Sequence, residues 1–301
     1  MRVKSSLERK AFRLSSLPEA LRFAEENPSW MSYEADQIRR FLGELISSEE
    51  LVFDYYVDSK RVLLASLIDR ISNPGNSACL EVLGVAPEPA GSIESQYSSM
   101  IEDAKKVLPK TKSAIEVVVP QTTSLSAEFF TREGFAPYYV SYMMESTELP
   151  KDLERFSGLE NLRFEKLKTE HLKTYYDLLC RAFASNVETS VPSFDEMVEA
   201  FDEQKTTVRL MRMNGQALGF LNVKALGAKR GEIRTLGLLP EARGKGFGKA
   251  LLAQGLKILR DEGCNHFELT VAAVNVSALS LYESFGFQVQ RRETCYRWQR
   301  E

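Results

Sequence analysis

Leu251, Leu252, Leu256 and Leu259 recur with Gly255 at the spacing of one helix face, and Gly263 closes the run. This pattern predicts a helix over GKALLAQGLKILRDEG, residues 248–263. Alternating or continuous apolar runs predict strands around it: LRFEKLK at 162–168, GEIRTLGLLP at 231–240 and HFELTVAAV at 266–274. Between 206 and 226 two extended runs flank Asn214-Gly215, a dipeptide that favours a two-residue hairpin turn. Thr169 to Ala184 and the acidic stretch Pro192 to Asp202 read as helices, and SALSLYESFG as a short helix closed by Gly286.

The first half carries the same alphabet in weaker form. LPEALRFAEEN has the spacing of a short amphipathic helix, and ELVFDYYVD and RVLLASLID read as strands. A helix is expected over SQYSSMIEDAKKVL, and a strand over IEVVVP, stopped by Pro120. TSLSAEFFTREG follows as a helix ended by Gly134, and FAPYYVSYMME as one long strand or a strand pair. The pattern lapses between Met144 and Asn161, where STELPKDLERFSGLEN is polar and holds Pro150 and Gly158. Domains are therefore expected at 1–150 and 161–301, joined by a linker at 151–160.

The halves also match each other. LGVAPEPAG at 83–91 aligns with LGLLPEARG at 236–244, an offset of 153, and EGF at 133–135 aligns with FGF at 285–287, an offset of 152. Two landmarks at nearly one offset point to an internal duplication.

Composition narrows the function classes. Apolar residues make up 44% and charged residues 27%, ordinary for a globular chain. A formal net charge of -3 gives no reason to expect a nucleic-acid partner. No run reaches the roughly 18 apolar residues of a membrane span, and MRVKSSLERKAF has no apolar core of a leader behind its basic residues. Cys79, Cys180, Cys264 and Cys295 lack metal-finger spacing. With only His171 and His266 present, a histidine-rich metal centre is excluded, and no metal is expected. A reducing, cytoplasmic setting is the expectation.

The stretch RGKGFGKA, Arg243 to Ala250, carries the candidate chemistry. It follows a strand and opens a helix, where the first backbone N–H groups lack intrahelical partners and face the positive end of the dipole. Gly244, Gly246 and Gly248 let a ligand approach that backbone closely. Arg243, Lys245 and Lys249 add positive charge, which suits a pyrophosphate. No GKS or GKT follows, so no hydroxyl is placed for magnesium as in a Walker loop, and the glycine spacing is not that of a dinucleotide fingerprint.

LGLLPEARGKGFGKALL and NVSALSLYESFGF together resemble the Gcn5-related N-acetyltransferase (GNAT) superfamily. Arg243, Gly246 and Gly248 match its Arg-x-x-Gly-x-Gly signature, and Asn275, Ala278, Tyr282 and Gly286-Phe287 match its second motif. The resemblance covers about 165–298. It implies an α/β (α+β) chain of two tandem acetyltransferase-like domains, each a mixed, mostly antiparallel twisted sheet flanked by helices. It also implies acetyl-coenzyme A as acyl donor, its pyrophosphate held by Arg243, Gly244, Lys245, Gly246, Phe247, Gly248 and Lys249. The pantetheine arm would lie along Leu236, Gly237, Leu238 and Leu239, between that strand and about Glu268 to Val271, with a backbone N–H near Leu236 to Leu238 as oxyanion donor. Asn275 is expected to cap the following helix or contact the cofactor arm. Tyr282 would be the acid for the leaving thiolate, and Glu232 the base, directly or through water.

The first half lacks this equipment. PAGSIES replaces ARGKGFG, so that Ala90 matches Arg243, Ile93 matches Gly246 and Ser95 matches Gly248, while Glu94 brings a negative charge. Phe130 matches Tyr282, Thr123 matches Asn275 and Cys79 matches Glu232. The expected activity is therefore transfer of an acetyl group to a primary amine in the second half, with the first a degenerate copy. The acceptor would be a small molecule or a peptide, and the protein a monomer or homodimer without nucleic-acid or membrane partners. A non-catalytic module that senses acyl-coenzyme A or binds a partner is the alternative reading.

Overall fold

Twelve strands and eight α-helices are formed by the residues that the computed structural model describes: 7–28, 51–68, 77–86, 92–121, 123–150, 153–157, 161–184, 191, 193–204 and 206–300. The strands are β1 (Glu8–Lys10), β2 (Val52–Val57), β3 (Lys60–Ile68), β4 (Ser77–Val85), β5 (Ala114–Pro120), β6 (Ala136–Ser146), β7 (Leu162–Lys166), β8 (Arg209–Met213), β9 (Gln216–Gly227), β10 (Arg230–Leu238), β11 (His266–Ala272) and β12 (Gln288–Gln299). The helices are α1 (Leu17–Glu26), α2 (Ile93–Val107), α3 (Ala127–Arg132), α4 (Glu154–Ser157), α5 (Leu172–Ala182), α6 (Phe194–Ala200), α7 (Phe247–Asp261) and α8 (Val276–Glu283).

The chain divides into two compact units, Met1–Tyr139 with Glu293–Glu301, and Val140–Arg292. This spatial division does not fall in the 151–160 stretch, because main-chain pairing overrides chain order. Residues 141–146 of β6 pair antiparallel with β11 inside the second unit, and residues 293–299 of β12 pair with β5 inside the first. The polar stretch also contributes to a core: Leu153 is buried, and Phe156 packs on Phe285 with ring centroids 4.9 Å apart.

In the first unit β1, β2, β3 and β4 pair antiparallel in order, and β4 then pairs parallel with β5. One face packs on α2 and α3 through Tyr97, Met100, Ile101, Phe129 and Phe130, and α1 contributes Ala20, Leu21 and Ala24 to a second cluster with Leu64 and Leu83. In the second unit β7, β8, β9 and β10 are antiparallel and β10 pairs parallel with β11. α7 buries Leu251, Leu252, Leu256 and Leu259, as its spacing requires, and α5 packs Tyr175 edge-on against Phe220, 5.2 Å between centroids.

The duplication is visible in the register. The parallel junction of the first unit pairs Ser77 with Ala114, Ala78 with Ile115 and Cys79 with Glu116. That of the second pairs Arg230 with His266, Gly231 with Phe267 and Glu232 with Glu268. These positions stand at the same offsets, 153 and 152, as the sequence match. The Asn214-Gly215 hairpin forms with both residues left-handed, at φ 51° and 81°. FAPYYVSYMME resolves into the single strand β6.

Candidate active site

Three short stretches of the second unit meet in sequence order: the end of β10, the turn into α7, and α8. β10 and β11 share only three register pairs, and Glu232 opposite Glu268 is the last. Beyond it β10 stays paired with β9 as far as Leu238–Gly219, while β11 stays paired with β6 as far as Ala272–Ser141. The two strands thus part after Glu232, as expected for Thr235 to Leu239 and Glu268 to Val271. A register shift between Ile233 and Thr235 leaves Arg234 without a counterpart on β9. Such a bulge re-aims the backbone that follows it.

The strand then enters a fixed turn. The Leu239 N–H donates to Leu218 O at 2.9 Å, and Pro240–Ala242 make one 3-10 turn. Arg243 is exposed and makes two main-chain contacts. Its Nη2 donates to Ala182 O at 2.8 Å and its Nε to Leu238 O at 3.3 Å, so the guanidinium ties the turn to the C-terminal end of α5. Arg181, paired with Glu241 at 2.6 Å, supports the same junction.

Gly244 and Gly246 have φ of 73° and 82°, and Gly246 is the N-cap of α7. A Cβ at either would meet nothing within 4 Å, so glycine is required there by backbone conformation. Among the described residues, the N–H groups from Gly244 to Gly248 have no hydrogen-bond partner, the first intrahelical bonds being those of Lys249 and Ala250 to Gly246 O. Lys245 and Lys249 are exposed beside them. Consecutive unpartnered amides at a helix start, with two exposed ammonium groups, fit a pyrophosphate.

Close approach shapes the rest of the groove. A Cβ on Gly237 would lie 2.3 Å from Phe220 Cζ, so that ring packs directly on the β10 backbone. A Cβ on Gly248 would lie 3.3 Å from Leu281 Cδ2, which lets α8 rest against the start of α7. Leu236, Leu238 and Phe247 are half-buried against the core and Leu239 is buried.

Tyr282 is 8% exposed and packed at 6.1 Å from Phe287, and its hydroxyl has no hydrogen-bond partner among the described residues. Burial pushes its phenol up to about 12, so it keeps its proton at neutral pH. Asn275 is the N-cap of α8: the Ala278 N–H donates to its Oδ1 at 3.2 Å and the Ser277 hydroxyl donates at 3.1 Å. Glu232 is half-exposed at the point where the strands part, and Arg234 Nε donates to its Oε2 at 3.0 Å.

Sequence reading did not single out Arg230, Arg234 or Glu268. The signal was the period-2 pattern Arg230, Glu232, Arg234, whose members lie more exposed than Gly231 and Ile233 between them. In the first unit Phe130, at the Tyr282 position, is fully buried and stacked on Tyr296 at 4.5 Å. Glu94, in the first turn of α2, pairs with Arg132. Pro89 to Gly91 lie outside the described residues.

A parted parallel junction, present once in each unit and followed only in the second by a Gly-x-Gly-x-Gly run with lysines, defines a tandem acetyltransferase fold. Residues 172–287 match the model of the "Acetyltransferase (GNAT) family". A mycothiol acetyltransferase of Beutenbergia cavernae is 34% identical over 149 residues, 47% of each chain. One from Salinispora tropica is 44% identical over 78 residues, 24% of this chain and 25% of that one. The matches thus span less than half the length of these curated relatives. A GCN5-related N-acetyltransferase from Sphaerobacter thermophilus superposes with a TM-score of 0.73 at 16% identity, covering 97% of this chain and 95% of that one. A tandem GNAT protein from the clavulanic acid biosynthesis pathway gives 0.66 at 16% identity, covering 98% of each. These two likenesses concern the fold. No helix among the described residues is long and apolar enough to cross a membrane.

Proposed function

We propose that the protein is an acetyl-coenzyme-A-dependent N-acyltransferase whose second unit carries acetyl to a primary amine by direct attack. The observation that carries this reading is the row of unpartnered amides at Gly244 to Gly248, placed where β10 and β11 have parted. When bound, acetyl-coenzyme A supplies the acetyl thioester and its thiol leaving group. Lys245, Lys249 and the helix-start amides hold its pyrophosphate, and the unpaired edge of β10 from Ile233 to Leu238 offers main-chain partners to its amide arm.

Glu232 takes a proton from the acceptor's ammonium, directly or through one water, and frees the amine to attack the thioester carbonyl. Its place at the fork of the two strands supports that role. Tyr282, kept protonated by burial, gives its proton to the departing sulfur. A β10 amide next to the bulge is the oxyanion donor. Asn275 acts through α8, which it caps. The first unit keeps the sheet and the parted junction, with Phe130 and Cys79 where the acid and base stand in the second. We place the acceptor at the level of a primary amine, on a small molecule or a peptide.

The test is thiol release from acetyl-coenzyme A across a panel of amines, monitored with a thiol reagent. Turnover abolished in Glu232→Gln supports the reading. Tight cofactor binding with no turnover on any amine contradicts it and favours a non-catalytic acyl-coenzyme A sensor.

A further inference from the structure

Three carboxylates stand side by side on one sheet face of the second unit. Glu145 is directly opposite Glu268 across the antiparallel β6–β11 pair, and Glu268 is opposite Glu232 across the parallel β11–β10 pair. Like charges directly opposite each other on a sheet are unfavourable. Arg234 meets Glu232, and Arg230 meets Glu268, with Nε at 3.1 Å from Oε2. Glu145 faces an imidazole instead: His266 Nε2 lies 3.2 Å from its Oε2.

His266 is two residues before Glu268 on the same strand, so both side chains leave the same face. One ligand atom from each of Glu145, His266 and Glu268 falls within 4.8 Å of the others. The side chains are 24%, 30% and 17% exposed, which leaves an entry path and room for water. An oxygen–nitrogen–oxygen set from two neighbouring strands, with open positions toward solvent, suits a borderline divalent ion such as zinc. Arg230 holds one oxygen of Glu268 and leaves the other to ligate, the part an outer-shell partner plays.

We propose that Glu145, His266 and Glu268 form a divalent transition-metal site, oriented by Arg230, one strand position away from Glu232. The site does not depend on the acetyl-transfer reading, and its test uses no turnover. Untagged full-length protein, stripped with chelator and dialysed, is titrated with zinc chloride by calorimetry.

One equivalent is expected to bind. His266→Ala should weaken the affinity by more than about 100-fold, and Arg230→Gln by about 10- to 100-fold. Cys180→Ser, which alters the half-buried thiol, should bind as the wild type does. Circular dichroism melts in chelator establish that each variant folds. Cobalt(II) added to the unmutated protein should give visible d–d bands that one equivalent of zinc abolishes. Zinc binding that survives His266→Ala, or the absence of both the calorimetric signal and the cobalt bands, overturns the site.

Discussion

Replacing Gly246 by alanine isolates the contribution of backbone shape to cofactor binding. Gly246 sits at φ 82° as the N-cap of α7, and a Cβ there meets no atom within 4 Å. The substitution therefore adds no clash and no charge. It adds only the cost of holding an L-residue left-handed, about 1–2 kcal/mol. The unliganded variant relieves that cost by relaxing the turn, so binding must restore it. A penalty of this size corresponds to a dissociation constant for acetyl-coenzyme A about 5- to 30-fold weaker, which isothermal titration calorimetry resolves. Gly215→Ala is the matched control. Its φ is 81° and it too has nothing within 4 Å, but it turns the β8–β9 hairpin. It should lower the melting temperature and leave the affinity unchanged. An unaltered affinity in Gly246→Ala, or an equal loss in Gly215→Ala, refutes the reasoning.

Glu232→Gln should lower kcat by about 10²- to 10⁴-fold with cofactor affinity intact, and raising the pH should recover part of the rate as more acceptor amine becomes free base. Tyr282→Phe should cost about 100-fold in kcat at unchanged affinity. In an ultraviolet phenol titration, the difference between wild type and Tyr282→Phe should be one group near pH 12. The sign follows from burial: the neutral phenol's stabilising contribution is complete below its ordinary value near 10 and is lost as pH rises through about 12. Gly237→Ala places a Cβ 2.3 Å from Phe220 Cζ and should destabilise the second unit by about 1–3 kcal/mol, read as a lower melting temperature. Lys245→Ala and Lys249→Ala should each weaken cofactor binding modestly and flatten its salt dependence, because both side chains are exposed and screened.

Much of the fold was legible because local signals agreed with tertiary ones. The leucine stripe of α7, the Asn214-Gly215 turn and the glycines that end α3, α7 and α8 all stand where periodicity and turn chemistry put them. The duplication was legible because offsets of 153 and 152 survive in the register of both parallel junctions. The destination of β12 was not. QVQRRETCYRWQ carries charge at exposed Arg292 and at buried Glu293 alike, and its pairing with β5 over residues 293–299 is made with a segment far away in the chain. Long-range pairing also decides which unit residues 140–146 join, and nothing local to YVSYMME encodes that.

In the candidate site, residue type pointed to the glycines and lysines, and the family resemblance pointed to Tyr282 and Glu232. The main-chain contacts of Arg243, two of its N–H groups donating to Ala182 O and Leu238 O, were not legible in the sequence. The position of the bulge at Arg234 was not legible either, because RGEIRTLGL alternates as though the strand were regular.

A crystal structure of the full chain with coenzyme A would locate the cofactor itself. One molecule per chain is expected, its pyrophosphate against the amides of Gly244 to Gly248 and its arm between residues 233–238 and 269–272. Pyrophosphate density at the start of α2, or at any position away from the start of α7, contradicts it.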